Sequence, residues 1–146
     1  MVIESISREA AHGAALLSKS LEIALGEVEL SSSQYRLLVF LSEAPAAATV
    51  LASRLDVSRP SLTALVDGLV ARGLVIRESD PGDRRRVSHQ ISPAGVTAVE
   101  RADAAIQARL SEIASNLPAD DREVAGAGLE RWHRAILAAR AAKVSS

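Results

Sequence analysis

Three consecutive arginines, Arg84-Arg85-Arg86, concentrate positive charge on one short stretch of this 146-residue chain. A guanidinium group is planar and permanently charged, so it pairs well with a phosphate group or with a guanine edge. The segment 54–86 carries seven arginines and no lysine against five carboxylates, although the whole chain has a formal net charge of −1. The positive charge is therefore local, and taken alone it fits either a surface that binds a polyanion or a solvated loop.

A second group of polar residues lies at the predicted start of a helix. Ser58 is placed to cap this helix, and Pro60 is tolerated in its first turn. The same turn presents Arg59, Ser61 and Thr63, whose guanidinium and hydroxyl groups can contact bases and phosphates. Two other interpretations stay open at this point: the serines act only as caps, or Arg59 pairs with a neighbouring carboxylate.

Hydrophobic periodicity predicts the elements that position these residues, and alanine and leucine favour a mostly α chain. A capping box, Ser31 and Gln34, precedes the second helix, and Ala44-Pro45 ends it. A polar, basic loop, 79–86, separates two strand-like runs. The predicted order is helices 3–28, 32–43, 49–55 and 58–72, strands 74–78 and 87–91, and helices 93–117 and 119–142.

Two short helices joined by the turn Asp56-Val57-Ser58 fit a helix-turn-helix, and the hairpin after them fits a wing. We therefore predict a winged helix-turn-helix domain over 31–92. The fifth helix would extend about 38 Å, more than a small domain can cover, so a partner must bury its apolar face. Residues 1–30 and 93–146 are predicted to form a helical dimerisation region shared with a second copy.

Five short motifs follow one another between residues 30 and 95. They are Leu30-Ser31-x-x-Gln34, Leu51-Ala52-x-x-Leu55-x-Val57-Ser58-Arg59, Leu62-Thr63-x-Leu65-Val66-Asp67-x-Leu69, Arg72-Gly73-Leu74-Val75-x-Arg77 and Asp80-Pro81-x-Asp83-Arg84-Arg85. In this order and spacing they resemble the multiple-antibiotic-resistance regulator (MarR) family of winged helix-turn-helix transcription regulators. Ser92-Pro93 departs from the threonine that usually leads the next helix in this family, but it keeps the capping chemistry.

The resemblance implies a homodimeric regulator that binds a pseudo-palindromic operator in double-stranded DNA, acts as a repressor and has a small-molecule effector as a candidate partner. It assigns the recognition helix to Ser58, Arg59, Ser61 and Thr63. It makes Arg85 the minor-groove arginine of the wing, with Asp83 as the residue that orients its guanidinium. Arg84 and Arg86 are then expected to contact phosphates.

Several other classes of protein are excluded or disfavoured by composition. The chain has no cysteine, its three histidines are scattered, and it shows no nucleophile or phosphate-loop spacing, so we expect no metal, no cofactor and no enzymatic activity. No apolar run approaches the roughly 18 residues of a membrane span, and we expect a cytoplasmic protein. A winged-helix module that binds another protein and not DNA remains the alternative function.

Overall fold

A computed structural model describes residues 5–144 of the chain. The chain divides into two compact units, Met1–Ile106 and Gln107–Ser146. The described elements are α1 Arg8–Glu27, α2 Ser32–Glu43, β1 Ala46–Ala47, α3 Ala48–Leu55, α4 Arg59–Ala71, β2 Val75–Asp80, β3 Asp83–Ile91, α5 Pro93–Ala114 and α6 Ala119–Val144. The mostly helical, winged helix-turn-helix fold is confirmed.

The first helix begins later than predicted. Ser7 adopts an extended backbone and its side chain accepts the N–H of Ala10 at 3.0 Å, so α1 begins at Arg8. Ile6 precedes the helix, and Ile3, where the predicted helix began, lies outside the described residues. In the sequence, apolar residues at helical spacing are found before Ser7, and they led to the earlier predicted start. The hydrogen bond to the Ser7 side chain fixes the actual start of α1.

The predicted capping box of α2 is present in the structure. Ser31 accepts the N–H of Gln34 at 3.1 Å, and the Gln34 side chain accepts the N–H of Ser31 at 2.9 Å. The C-cap Ala44, which precedes Pro45, has an extended backbone and α2 ends at Glu43, as the sequence predicts. The bounds of this helix therefore follow from local chemistry alone.

The hairpin differs most from the prediction. Its strands approach within two residues of each other, so the turn is Pro81-Gly82 and the predicted loop 79–86 is wrong. The Asp80 carboxylate closes this turn by accepting the Gly82 N–H at 2.9 Å. The three arginines therefore lie within β3, at an irregularity in the register where Val87 pairs with Ser79, Asp83 pairs with Asp80, and the arginines between them are paired with no β2 residue.

A third strand, β1, was not predicted because two residues carry no periodicity. It pairs antiparallel with β3, with Ala46 opposite His89 and Ala47 opposite Ser88, and the sheet order is β1-β3-β2. The strand joins the start of α3 to the base of the wing. The wing is thus tied to the helix-turn-helix by main-chain hydrogen bonds.

The core of the first unit lies between α2, α3 and α4. Ala52 is buried, and its small side chain lets α3 approach α4 closely. The most deeply buried large side chains come from these three helices: Leu37, Leu38, Leu51, Leu62, Val66 and Leu69. This core fixes the direction of α4 and with it the residues of its first turn.

The start of α5 is attached to the loop that follows α4. Gly73 has a φ of +72°, which ends α4 in a conformation that favours glycine. The Ser92 hydroxyl donates to the Gly73 carbonyl at 2.6 Å and accepts the Gly95 N–H at 3.0 Å. The Ser92 N–H also donates to the Leu74 carbonyl at 3.0 Å. Ser92 therefore both begins α5 and holds it against the start of β2.

A tyrosine–aspartate hydrogen bond joins α2 to α5 within the first unit. The Tyr35 hydroxyl donates to Asp103 Oδ1 at 2.5 Å. Burial raises the pKa of the Tyr35 phenol, and the hydrogen bond and negative charge of Asp103 raise this pKa further. The pair gives Tyr35 a structural role, since its side chain is partly buried against the core.

The second unit comprises the last turns of α5 and the whole of α6. α5 ends at Ala114, three residues before the predicted end, and α6 begins after Pro118 as predicted. The described part of α6 buries none of its side chains, and its large apolar residues are exposed: Val124, Leu129, Trp132, Ile136 and Leu137. Over residues 5–144, no helix is both long and apolar enough to cross a membrane.

Candidate nucleic-acid interface

The first turn of α4 exposes hydroxyl groups together with a guanidinium group. Ser58 accepts the Ser61 N–H at 3.2 Å and donates its hydroxyl to Ser61 Oγ at 2.9 Å. Ser61 therefore keeps its own hydroxyl proton for an outside acceptor. The Thr63 hydroxyl donates to the Arg59 carbonyl at 3.0 Å, which leaves its oxygen free to accept. This turn thus offers donors and acceptors at once, as recognition of bases and phosphates requires.

Three of the seven arginines between residues 54 and 86 contact groups of the protein. Arg54 lies over the Phe40 ring, 5.3 Å from its centre, in a cation–π contact. Arg72 donates to the Glu29 carbonyl at 2.6 Å and connects the end of α4 to the segment after α1. The third is Arg77. These side chains stabilise the fold, and charge counting in the sequence could not separate them from the others.

Arg77 and Asp67 form an ion pair and hydrogen bond between β2 and α4. Sequence reasoning placed both residues in family-like motifs but gave them no role. Their contact joins the wing to α4, so it helps to set the angle between them. Both side chains are partly exposed, which limits the stabilisation that the pair provides.

The other four arginines of this segment are the ones that the sequence assigned to DNA. Among residues 5–144, the guanidinium groups of Arg59, Arg84, Arg85 and Arg86 form no hydrogen bond and no ion pair, and all four side chains are exposed. The alternative pairing of Arg59 with Asp56 is therefore absent from the structure. Their full charge is available to an external anion.

Asp83 acts on the wing differently from the expectation. Its carboxylate accepts the backbone N–H of Arg85 at 3.0 Å, and no hydrogen bond to the Arg85 guanidinium is present in the described structure. The residue therefore shapes the backbone at the start of β3 and leaves the arginine side chain free to turn. Asp83 itself is exposed beside the turn.

A groove of about 1080 Å³ separates α4 from the wing, and we call it the α4–wing groove. Four of the eight predicted residues line it: Arg59 and Thr63 from α4, and Arg85 and Arg86 from β3. Segment 45–49, which contains β1 and the start of α3, also lines it. Ser58, Ser61, Asp83 and Arg84 are exposed but lie outside its lining. The fold thus brings together residues that are more than twenty positions apart in the sequence.

His89 is a further residue of this groove that sequence reasoning left without a role. The structure shows a packed histidine that is 5 % exposed. Its ring contacts the Ala46 carbonyl through Nδ1 at 3.1 Å. No sequence signal identifies it, because its position depends on the pairing of β1 with β3.

Metal-binding geometry is not found in the part of the chain that the structure describes. No group of three or more histidine, cysteine, aspartate or glutamate side chains there could hold a metal ion. The charged groups of the α4–wing groove are mainly arginines, which suit an anionic ligand.

Comparisons with known proteins agree with this geometry. A model described as MarR family matches residues 29–86. A curated protein of Thauera aromatica, named as a transcriptional regulatory protein for the hcr operon, is 31% identical over 86 residues, which are 59% of this chain. The matched region spans about half of that relative, 52% of its length.

Two solved structures of MarR from E. coli resemble the chain over most of its length. The wild-type apo form is 25% identical, covers 93% of this chain and 99% of its own, and has a TM-score of 0.72. A mutant form complexed with operator DNA is 25% identical, covers 89% of this chain and 91% of its own, and has a TM-score of 0.66. The second of these matches is to a chain that was solved on DNA.

Proposed function

We propose that the chain, which resembles the MarR family over residues 29–86, is a transcription regulator that binds a specific double-stranded DNA operator. One observation carries the proposal. Of the seven arginines between residues 54 and 86, the four that have no partner among the described residues lie on the first turn of α4 and at the start of the second wing strand. Unpaired guanidinium groups on these two elements match the two parts of a winged helix-turn-helix that approach DNA.

Each part of this surface has its own task. Arg59 on α4 contacts a base edge in the major groove, while Ser58, Ser61 and Thr63 contact phosphates and bases beside it. Arg85 enters the narrow minor groove, and Arg84 and Arg86 bind the flanking phosphates. The DNA backbone that separates the major groove from the minor groove then passes along the α4–wing groove of the protein. Asp83 supports the wing by holding the backbone of Arg85.

The apolar surface of the long helices supports a homodimer. Trp132 is 54 % exposed and Leu16 on α1 is 71 % exposed. Large apolar side chains repeated along α6 favour burial, and a second copy provides an isologous surface of the same kind. A dimer places two recognition helices in successive major grooves, so the operator is a pseudo-palindrome with half-sites about 10 base pairs apart.

The regulator acts as a repressor, because a dimer over roughly 20 base pairs blocks access to the DNA beneath it. A small-molecule effector releases it by favouring a spacing of the two recognition helices that does not fit the operator. Such an effector has to bind the two spacings with different affinities, since equal affinity changes neither population. The protein has no catalytic role in this proposal.

Selection of bound fragments from a random duplex library tests the proposal and returns the operator. Arg59→Ala is expected to cost about 1–3 kcal/mol per half-site and to relax preference at one base position. Arg85→Ala is expected to lower the salt dependence of binding by about one phosphate equivalent per wing, most strongly at A·T-rich flanks. Arg101→Ala removes the same charge from an exposed site on α5 and serves as the control.

The outcomes separate the proposed function from its alternative. A wild-type protein that binds no duplex at low salt would contradict DNA binding and favour a winged-helix module for protein partners. Wild-type affinity and salt slope in the Arg85→Ala variant would show that the wing assignment is wrong, and Arg84 and Arg86 would then be tested. An operator without twofold symmetry would contradict the dimer.

A further inference from the structure

His89 lies at the base of the wing with its side chain almost entirely inside the protein. Its Nδ1 lies 3.1 Å from the Ala46 carbonyl oxygen. A carbonyl oxygen only accepts hydrogen bonds, so Nδ1 carries the hydrogen of the neutral ring. The other nitrogen, Nε2, therefore bears a lone pair when the ring is neutral and becomes a donor only when the ring is protonated.

Nε2 of His89 has no hydrogen-bond partner among residues 5–144, and it is not among the buried polar atoms sealed from solvent. The residue is 5 % exposed and lines the α4–wing groove. The accessible part of this side chain therefore opens into the groove. His89 is thus a nearly buried residue with one ring nitrogen that has no partner among the described residues and is accessible, and a ligand in the groove can complete its hydrogen bonding.

Charged groups surround the groove that His89 lines. Arg59 comes from α4, Arg77 from β2, and Arg85 and Arg86 from β3, whereas β1 and the start of α3 contribute no charge. The carboxylates that line the groove are Glu78 and Asp80, and both already accept hydrogen bonds, from the Gln90 amide and the Gly82 N–H. On the other elements against β3, α2 carries Arg36 and Glu43, and Arg54 of α3 is stacked on Phe40. A phosphate that binds beside the ring adds a negative charge there and favours the imidazolium form in the complex.

The start of α3 faces the same space. Ala47 is the N-cap of this helix and forms no side-chain hydrogen bond to it, so the amides of its first turn have no side-chain acceptor. Ala47, Ala48 and Thr49 line the groove with His89. Free amides and the helix dipole attract an anion at this end.

We infer that His89 is a DNA-contacting residue, which takes up one proton from solvent on binding and donates from Nε2 to a backbone phosphate seated beside the start of α3. The inference rests on the proposed function and adds to it a contact whose strength depends on protonation. The phosphate is the one that passes between the recognition helix and the wing. The proton bound at Nε2 comes from the buffer and returns to it when the DNA leaves.

Two substitutions at this position separate the phosphate contact from the contact with β1. His89→Asn places its amide nitrogen near the position of Nδ1, so it keeps the donor to Ala46 and removes Nε2. His89→Gln places an amide donor near the position of Nε2 and needs no proton. His12→Asn changes an exposed histidine on α1 and is the matched control. Thermal unfolding of each variant checks that it folds.

The probe is a fluorescein-labelled duplex recovered by the library selection, and its affinity is measured at about pH 6 and about pH 8. We expect the affinity of the wild type to rise from the higher to the lower pH by a factor roughly tenfold larger than the corresponding factor for His89→Asn. His12→Asn is expected to behave like the wild type. His89→Gln is expected to lose the pH dependence but to keep more affinity than His89→Asn at the higher pH. Calorimetry in buffers of different ionisation enthalpy is expected to show proton uptake by the wild type and not by His89→Asn.

Two results would overturn the inference while leaving DNA binding intact. In the first, the wild type and His89→Asn show the same pH dependence of DNA affinity. In the second, His89→Asn binds more weakly than the wild type by the same factor at both pH values and takes up as many protons on binding. The second result would mean that His89 acts only on the fold. A wild-type protein that binds no duplex at either pH would instead overturn the proposed function, and this inference with it.

Discussion

Gly95, in the first turn of α5, is the position where a single added methyl group should do most damage. A Cβ built there would overlap the Leu74 carbonyl oxygen and lie 2.6 Å from Ile91 Cγ1. Side-chain carbons are almost never found so close to other atoms, and the Leu74 carbonyl belongs to the backbone and cannot turn aside. Gly95→Ala therefore forces the start of α5 away from the start of β2.

The expected cost follows from what this movement disrupts. Overpacking costs about 1–3 kcal/mol, and loss of the two Ser92 hydrogen bonds to Gly73 and Leu74 adds about 1 kcal/mol each. Alanine regains about 0.5–1 kcal/mol over glycine within a helix. Gly95→Ala should therefore lower the free energy of unfolding by about 2–4 kcal/mol.

Urea unfolding followed by circular dichroism measures this change, at one fixed protein concentration because the proposed dimer makes stability depend on concentration. Gly68→Ala is the matched control, since a Cβ at Gly68 on α4 meets no atom within 4 Å. This control should gain about 0.5–1 kcal/mol. A Gly95→Ala protein as stable as Gly68→Ala would refute the reasoning.

Three further predictions concern contacts described above. Tyr35 is the single tyrosine of the chain, so tyrosinate absorbance reports it alone; its raised pKa means that the phenol stays protonated where an unfolded tyrosine ionises, near pH 10. The stability that this shift contributes is present below that pH and is lost as pH rises through the folded pKa. Tyr35→Phe should lower the free energy of unfolding by about 1–2 kcal/mol at neutral pH. An unshifted titration of Tyr35 in the folded protein would contradict this prediction. Asp67→Ala, Arg77→Ala and the double variant should give a coupling energy of about 0.2–1 kcal/mol in a double-mutant cycle, and additive effects would show that the pair is not coupled. Ser31→Ala should cost about 1 kcal/mol by removing the capping box, while Ser32→Ala, exposed on the same turn, should cost little; equal unfolding midpoints would refute the role of the cap.

Much of the helical framework could be predicted from local sequence. Ser31 with Gln34 and Ala44-Pro45 bound α2 at the residues where the structure has it, because caps and proline act through neighbouring backbone groups. Ser58 began α4 for the same reason, and Gly73 ended it. The eight candidate DNA contacts came from residue types at motif spacing, and their contact with DNA stays a prediction.

Only the tertiary structure decided which arginines are free. Arg54, Arg72 and Arg77 are as charged as Arg59 and Arg85, but a ring, a carbonyl and a carboxylate from other elements engage them. The partners of Arg54 and Arg72 are 14 and 43 positions away, and the partner of Arg77 lies on another element. Local patterning carries no information about such contacts.

The wing and the floor of the groove also depended on long-range pairing. β3 pairs with β2 on both sides of the arginine run, which itself has no paired β2 residue. The Asp83 carboxylate accepts the Arg85 N–H and does not contact the Arg85 guanidinium. His89 reached the groove because β1 pairs with β3 across 43 positions, which a two-residue strand cannot signal in the sequence. The sequence by itself determined where most helices begin and end and where they carry polar groups, since these features depend on residues a few positions apart. The tertiary structure decided which polar side chains have protein partners and which remain free, because folding brings distant residues together.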